Sequence, residues 1–257
     1  MGALETRLRD VRDRGDKLFV PYVTGGFPGV DASLLRGLAE AGADAIEVGI
    51  PHSDPIMDGG VIQEASRVAL EAGTHPRDVF ALIAEADVDV PVAVMTYANI
   101  VTRPGLGAFC EDAAAAGVTG LIVPDLPVDE AAELGSVSAH LGIDVVLLAA
   151  PGTAPERYAA IGSVAHGFVY CVATYGVTGA REELSTTARE VVEAVRPHTD
   201  LPLLVGVGIA TPAHAVAACA FADGVIVGSA LMARLLEKDR DGLLELAGAF
   251  HEAIGET

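Results

Sequence analysis

Residues 39–49, AEAGADAIEVG, contain the pattern that decides the fold: the end of a helix, a glycine turn and then a short apolar strand. The pattern recurs as AAAGVTGLIVP (114–124), AHLGIDVVLLA (139–149) and AFADGVIVG (220–228). Strands that are apolar on both faces are typical of a parallel sheet covered by helices. The repeat therefore predicts an α/β protein in which strands and helices alternate.

Extending this pattern along the chain gives eight strand and helix pairs with short connections, which favours a single (β/α)8 barrel, the TIM barrel. The predicted strands lie near 18–23, 44–50, 91–97, 120–124, 143–149, 167–172, 202–207 and 223–228. The predicted helices lie near 31–41, 61–72, 76–86, 105–116, 129–141, 155–162, 185–196 and 211–220. A doubly wound open sheet is the alternative, although no GxGxxG motif follows the first strand.

The length of the chain agrees with one domain. A sequence of 257 residues with 51% hydrophobic content can bury one large core, and no linker divides it, so we expect a single domain over residues 1–257. The first 17 residues alternate in charge and predict a short extra helix, with no signal or anchor segment. We expect Asp31, Asp129 and Thr211 to cap helices.

Composition excludes several classes of function. Sixteen basic residues against 36 acidic ones give a net charge of −20, which argues against nucleic acid as a partner. The three cysteines have no paired or metal-binding spacing, so we expect reduced thiols, no metal and a cytoplasmic location. Two uncharged stretches, 158–180 and 201–222, are long enough to span a bilayer. Glycines and a histidine interrupt the first stretch, and two prolines and a histidine interrupt the second, so we expect no membrane span.

Two acidic residues indicate where chemistry takes place. Glu47 interrupts the apolar strand AIEVGI, and Asp58 follows eleven residues later in a loop rich in glycine and proline. Active sites of TIM barrels lie at the carboxyl ends of the strands, where both residues are expected. Burial should raise the pKa of Glu47 toward neutrality, while Asp58 in a polar loop should stay ionised. The pair predicts a proton-transfer site.

A phosphate site is predicted at the same end of the barrel. Gly208 and the pair Gly228–Ser229 follow the seventh and eighth strands where helices begin, and helix starts attract anions through free N–H groups and the helix dipole. Since the chain has only two lysines, Lys17 and Lys238, backbone groups would hold the phosphate.

Six ordered motifs resemble the tryptophan synthase α-subunit family and together cover roughly residues 17 to 236. They are PYVTGGFP (21–28), EVGIPHSDPIMDGG (47–60), MTYAN (95–99), PDLPVDE (124–130), GVTGARE (176–182) and GVIVGSALM (224–232). The resemblance implies a lyase that cleaves indole-3-glycerol phosphate to indole and glyceraldehyde 3-phosphate by a retro-aldol reaction. It implies no cofactor in this chain and a β-subunit partner that carries pyridoxal phosphate in an α2β2 heterotetramer.

The resemblance also implies roles for particular residues. Glu47 acts as general acid and base at indole C3 and the glycerol hydroxyl, and Asp58 pairs with the indole N–H. The implied phosphate contacts are Gly179, Gly208, Gly228 and Ser229. The implied indole pocket and lid comprise Tyr22, Tyr97, Tyr170, Thr178 and Val207. Asp54 and Pro55 face the partner, and we expect His52 beside them to be a loop or interface residue because no metal-ligand partner is visible.

Three positions depart from the family pattern: Gly60 where a proline is common, Tyr175 in place of a small residue, and Val207 in place of phenylalanine. These changes leave both acids intact and put in doubt the coupling to a β subunit and the fit of indole. Two alternatives stay open, a free-standing lyase that supplies indole to another pathway and a non-catalytic activator of a β subunit. The retained acids weigh against the non-catalytic alternative.

Overall fold

The computed structural model describes residues 1–172 and 181–256, with residues 181–185 described by their backbone alone. Its strands are Leu18–Thr24 (β1), Ile46–Gly49 (β2), Val92–Met95 (β3), Val118–Ile122 (β4), Asp144–Ala149 (β5), Val169–Val172 (β6), Leu203–Gly206 (β7) and Gly224–Val227 (β8). They form one closed barrel in sequence order, and β1 pairs with β8 in parallel. The predicted TIM barrel is confirmed, and the open sheet is wrong because its two edges are joined.

The described residues also form twelve α-helices. They are Ala3–Asp13 (α1), Ala32–Glu40 (α2), Gly60–Glu71 (α3), Pro76–Ala86 (α4), Ala98–Thr102 (α5), Leu106–Ala115 (α6), Val128–Ala139 (α7), Pro155–Val164 (α8), Arg181–Val195 (α9), Pro212–Cys219 (α10), Ser229–Leu236 (α11) and Arg240–Gly255 (α12). The extra amino-terminal helix is confirmed as α1. The sequence pattern did not predict α5 or α12, whereas the helix start expected at Gly228–Ser229 is the start of α11. Among the described helices, none has both the length and the apolarity to cross a membrane.

Side chains along the strands alternate between the barrel interior and the surrounding helices. In β1, Leu18 and Val20 join an interior cluster, whereas Phe19 and Val23 pack in the cluster beneath the helices. The interior cluster also contains Leu4 of α1, which therefore closes the amino-terminal end of the barrel. Full burial of such a leucine stabilises the fold by roughly 1.5 to 3 kcal/mol.

Two buried carboxyl groups fix α1 across this end. Asp144, the first residue of β5, accepts hydrogen bonds from the backbone N–H groups of Gly2 at 3.0 Å and Glu5 at 2.9 Å. Glu5 in turn accepts from the backbone N–H of Gly167 at 3.3 Å. Because buried polar groups need partners, these bonds fix α1 in one position.

The predicted helix caps are correct in two cases of three. The side chains of Asp31 and Thr211 accept hydrogen bonds from the backbone at the starts of α2 and α10. Asp129 is not a cap, because the chain enters α7 through Pro127 and places Asp129 inside the first turn. There it pairs instead with Arg157 at 2.7 Å. The cysteines agree with the expectation of unpaired thiols, since Cys110, Cys171 and Cys219 are buried and free.

Candidate active site

Glu47 lies on β2 with its side chain at the carboxyl-terminal end of the barrel interior. It alternates with Ile46 and Val48, which pack toward the helices, and it is only 1% exposed. Its Oε2 atom has no hydrogen-bond partner among the described residues. A buried polar atom without a partner is costly and rare, so it marks a position where a ligand can bind.

The environment of Glu47 disfavours its charged form. Burial, and then the nearby charge of Asp58, raise the pKa of Glu47 from its ordinary 4.5 to about 8. Loss of water destabilises a carboxylate, and a second negative charge adds to that effect. At neutral pH Glu47 is therefore mostly protonated and able to give a proton to a bound molecule.

Asp58 lies in the loop between β2 and α3, where Tyr97 orients it. The hydroxyl of Tyr97 donates to Oδ2 of Asp58 at 3.1 Å and accepts from the backbone N–H of Met57 at 3.2 Å. Burial raises the pKa of Asp58 from its ordinary 3.8 to about 6, while the hydrogen bond from Tyr97 opposes that rise. Asp58 is thus more buried than a polar loop would suggest, yet mostly ionised at pH 7.

Tyr22 and Tyr170 are brought to the same region from β1 and β6. Burial raises the pKa of both phenols well above 10.0, and the charges of Glu47 and Asp58 act in the same direction. The hydroxyl of Tyr22 lies within 3.2 Å of the hydroxyl of Thr24. Both tyrosines therefore stay protonated near neutral pH and offer apolar rings with polar ends to a ligand.

Two glycines that the sequence reasoning did not single out create the space for these tyrosines. A Cβ atom on Gly49 would overlap the hydroxyl of Tyr22, and one on Gly206 would overlap the hydroxyl of Tyr170. Each glycine lies on a strand whose end carries a family motif, but nothing local distinguishes it from a turn glycine. The need for glycine at these two positions becomes apparent only when the tyrosine on the neighbouring strand is considered.

The predicted phosphate residues lie at the ends of β7 and β8. Gly208 has φ of +88°, and Val207 before it also has a positive φ of +70°. Gly228 is the N-cap of α11 and Ser229 is its first, exposed residue. Val207 is 42% exposed. A left-handed β-branched residue is strained by on the order of 1–3 kcal/mol, a cost that is most often found at functional sites.

The predicted partner-facing residues lie on the outer side of the loop that carries Asp58. Asp54 and Pro55 line a groove of about 630 Å³ together with the neighbouring face of α3. Ile56 in the same groove is 71% exposed. Gly60, the family departure in this loop, is the first residue of α3 and a Cβ there would meet open space. One loop thus joins an exposed apolar surface to the second acid.

Thr178 and Gly179, which have expected roles, and Tyr175, a departure from the family pattern, fall in residues 173–180 and lie outside the described part of the chain. Sequence reasoning also missed what His52 and Asn99 do. Nε2 of His52 lies 3.1 Å from Oδ1 of Asn99, and its ring stacks on Tyr97. The only available signal was that HSDP and MTYAN both follow strands.

The fold and site together define a TIM-barrel enzyme with two carboxyl groups whose pKa values are separated by their surroundings. Comparison with known proteins identifies the family within this class of TIM-barrel enzymes. The family model described as "Tryptophan synthase alpha chain" matches residues 8–252. The chain belongs to the tryptophan synthase alpha chain family.

Individual relatives agree over nearly the whole length. The tryptophan synthase alpha chain of Halorhodospira halophila is 44% identical, covering 98% of this chain and 97% of that protein. The alpha chain of Microcystis aeruginosa is 42% identical, covering 96% of each. Among solved structures, Mycobacterium tuberculosis tryptophan synthase superposes with a TM-score of 0.91 at 38% identity, covering 99% of this chain and 98% of that one. The Legionella pneumophila alpha subunit gives 0.87 at 32% identity, covering both chains completely.

Proposed function

We propose that this chain cleaves indole-3-glycerol phosphate to indole and glyceraldehyde 3-phosphate, as the alpha chain of a tryptophan synthase. The observation that carries the proposal is Glu47, a buried, mostly protonated carboxyl group inside the barrel whose Oε2 atom has no partner among the described residues. A retro-aldol cleavage needs a proton placed on indole C3 before the carbon–carbon bond breaks. Glu47 in its neutral form supplies that proton.

Asp58 completes the proposed reaction from the other side of the substrate. Protonation at C3 develops positive charge at the indole nitrogen, and an ionised carboxylate stabilises it by pairing with the N–H. The lower pKa of Asp58, about 6, keeps it charged when Glu47 is neutral. Two carboxyl groups with separated pKa values divide the roles of acid and electrostatic stabiliser between them.

After its first step, Glu47 serves as the base. Once its proton has moved to C3, the resulting carboxylate takes the proton of the glycerol hydroxyl next to the breaking bond. The bonding electrons of that bond return to the indole ring, the hydroxyl carbon becomes the aldehyde of glyceraldehyde 3-phosphate, and the ring nitrogen regains neutrality. Glu47 ends protonated, so the cycle leaves no net proton on the protein.

The phosphate of the substrate is proposed to bind at Gly208, Gly228 and Ser229, with Gly179 closing over it. The start of α11 supports this position, because a helix amino terminus attracts an anion through its backbone N–H groups. A Cβ atom on Gly228 would press against the ring of Tyr22, so the turn at Gly228 lies directly beside that ring. The proposed phosphate site and the proposed indole pocket would therefore adjoin. Tyr22, Tyr97, Tyr170, Thr178 and Val207 would surround the indole.

A β subunit is the proposed partner, in an α2β2 heterotetramer whose pyridoxal phosphate belongs to the β chain. The surface proposed to receive it is the groove beside Asp54, Pro55 and Ile56. Its exposed isoleucine supports this proposal, since large apolar side chains in a groove are typical of interaction sites. The chain itself would act as one domain over residues 1–257 in the cytoplasm.

The experiment that tests the function is an assay of indole release from indole-3-glycerol phosphate by the purified chain, alone and with a cognate β subunit. Release that increases when the β subunit binds supports the alpha-chain function. Equal and high turnover without it would favour the free-standing lyase. No release in either condition, with a folded chain and a bound partner, would contradict the lyase and favour a non-catalytic activator.

A further inference from the structure

We infer that His52 is a positioning residue that holds Asp58 in place through the ring of Tyr97. The inference rests on the proposed function, in which Asp58 pairs with the indole N–H. The ring of His52 stacks on that of Tyr97 with 4.4 Å between centroids and 24° between planes. Tyr97, only 3% exposed, is the group whose hydroxyl donates to Asp58. His52 therefore covers the side chain that orients the acid.

Two hydrogen bonds fix the imidazole in this stacked position. Nδ1 accepts from the backbone N–H of Asp54 at 3.1 Å, so it carries no proton. Nε2 then bears the hydrogen and donates to Oδ1 of Asn99 at 3.1 Å. These bonds join the loop that carries Asp58 to α5, the helix that Tyr97 caps. His52 thus connects the loop of Asp58 with the segment of Tyr97, which donates to that acid.

Histidine combines two properties that other side chains offer only singly. A phenylalanine ring stacks on Tyr97 but makes neither hydrogen bond, and an asparagine can make a hydrogen bond but cannot cover the ring. A stacked pair of aromatic rings adds about 0.5–1.5 kcal/mol beyond area burial. In His52 the stacking and the hydrogen bonds together hold the hydroxyl of Tyr97 against Asp58.

By holding Tyr97, His52 also affects the pKa of Asp58. The hydrogen bond from Tyr97 lowers the pKa of Asp58 and so opposes the effect of burial. The other described titratable groups that act on this site are Glu47 from β2, Tyr22 from β1 and Tyr170 from β6. The charge of Asp125 raises the pKa of Tyr97. When His52 is removed and the hydroxyl of Tyr97 is no longer held against Asp58, burial is less opposed, so the pKa of Asp58 should rise.

The first test compares His52→Phe with His140→Phe. His140 lies exposed at the end of α7, so this control adds the same ring far from the site. We expect His52→Phe to lower kcat roughly tenfold to a hundredfold, as slight misplacement of a reacting group does, with KM within about twofold. The control should match the wild type. Wild-type kcat in His52→Phe would overturn the inference.

A double-mutant cycle tests the route through Tyr97. If His52 acts by holding that side chain, then His52→Phe should lower kcat much less in a Tyr97→Phe background than in the wild type. Fully additive losses would overturn the route.

A third measurement separates this inference from the proposed reaction. The carboxyl carbon of Asp58, labelled with ¹³C and assigned by its loss in Asp58→Asn, reports its pKa by NMR without any substrate. We expect a higher pKa in His52→Phe than in His140→Phe. An unchanged pKa would overturn the inference even if the lyase assay succeeds. A raised pKa in a chain that fails to cleave the substrate would uphold the positioning and remove only the proposed function.

Discussion

Tyr22 and Glu47 are paired residues on neighbouring strands, so a buried phenol stands beside the buried carboxyl group. The pKa of Tyr22 lies well above its ordinary 10.0, chiefly because of burial and then because of Asp58. The phenol therefore keeps its proton at pH values near 8, where Glu47, with a pKa of about 8, gains and loses one. Of these three groups, only the carboxyls can transfer protons near neutral pH.

Glu47→Gln should abolish most of the cleavage while leaving the fold intact. The amide keeps the shape of the side chain but cannot transfer a proton, so kcat should fall on the order of 10² to 10⁴. Steady-state release of indole measures the loss, and circular dichroism checks the fold. A folded variant with more than about half of the wild-type rate would rule out Glu47 as the acid and base.

Asp58→Asn should lower kcat more than it raises KM. Removing the negative charge next to the indole nitrogen destabilises the transition state more than the bound substrate, and a loss of roughly 10²-fold is expected. Full kinetic curves for the variant and the wild type separate the two parameters. An increase in KM at constant kcat would make Asp58 a group for substrate binding alone.

The stability of the protein should depend on pH through Glu47. Because folding raises the pKa of this carboxyl from 4.5 to about 8, the folded state binds its proton more tightly than the unfolded state. The contribution to stability is therefore complete below about pH 4.5 and is lost as the pH rises through about 8. The glutamine in Glu47→Gln does not titrate, so the variant does not lose this contribution to stability as the pH rises. Urea unfolding of both proteins at about pH 5 and about pH 9 should show wild type weakening relative to the variant.

Gly208→Ala should weaken phosphate binding beyond its effect on stability. Gly117 offers a matched control, because its φ of +87° equals that of Gly208 within a degree and a Cβ there meets open space. Both alanine variants should lose about 1–2 kcal/mol of stability from left-handed strain. Only Gly208→Ala should raise the Kd for inorganic phosphate or glycerol 3-phosphate, measured by calorimetry. Equal affinity in the two variants would place the phosphate elsewhere.

Ile56→Glu should weaken binding of the β subunit. The side chain is 71% exposed, and a charge in an apolar contact would have to lose its water on association. Affinity should fall about tenfold or more. Leu141→Glu serves as control, since Leu141 is also an exposed apolar residue, at 38%, but precedes β5 at the opposite end of the barrel. Matching affinities in the two variants would move the interface away from this groove.

The sequence was sufficient to predict the fold because the repeated unit is local. Each strand is a short apolar run after a glycine, and all eight strands lie within about two residues of their predicted bounds. The helix α12 was missed because no strand follows it to complete a repeat. The helix α5 was missed because it has only 5 residues. β4 begins at Val118, two residues early, since the turn at Gly117 ends the preceding helix directly.

The site was predictable where a residue broke its local pattern. Glu47 was found because an acid interrupts an apolar strand. The bond from Tyr97 to Asp58 joins residues 39 positions apart, and the stacking of His52 on Tyr97 joins two different loops. Such contacts arise only when neighbouring strands bring their ends together. The raised pKa of Asp58 was likewise hidden, because burial of a loop depends on what packs over it.

Because α1 closes the amino-terminal end of the barrel, the site can be reached only from the carboxyl-terminal end. With Leu4 and Leu8 filling the amino-terminal end, a molecule reaches Glu47 from the opposite mouth and leaves the same way. Substrate and both products therefore enter and leave at the same, carboxyl-terminal end of the barrel. A partner bound at this end would control both the entry of substrate and the release of products, without contacting Glu47 or Asp58.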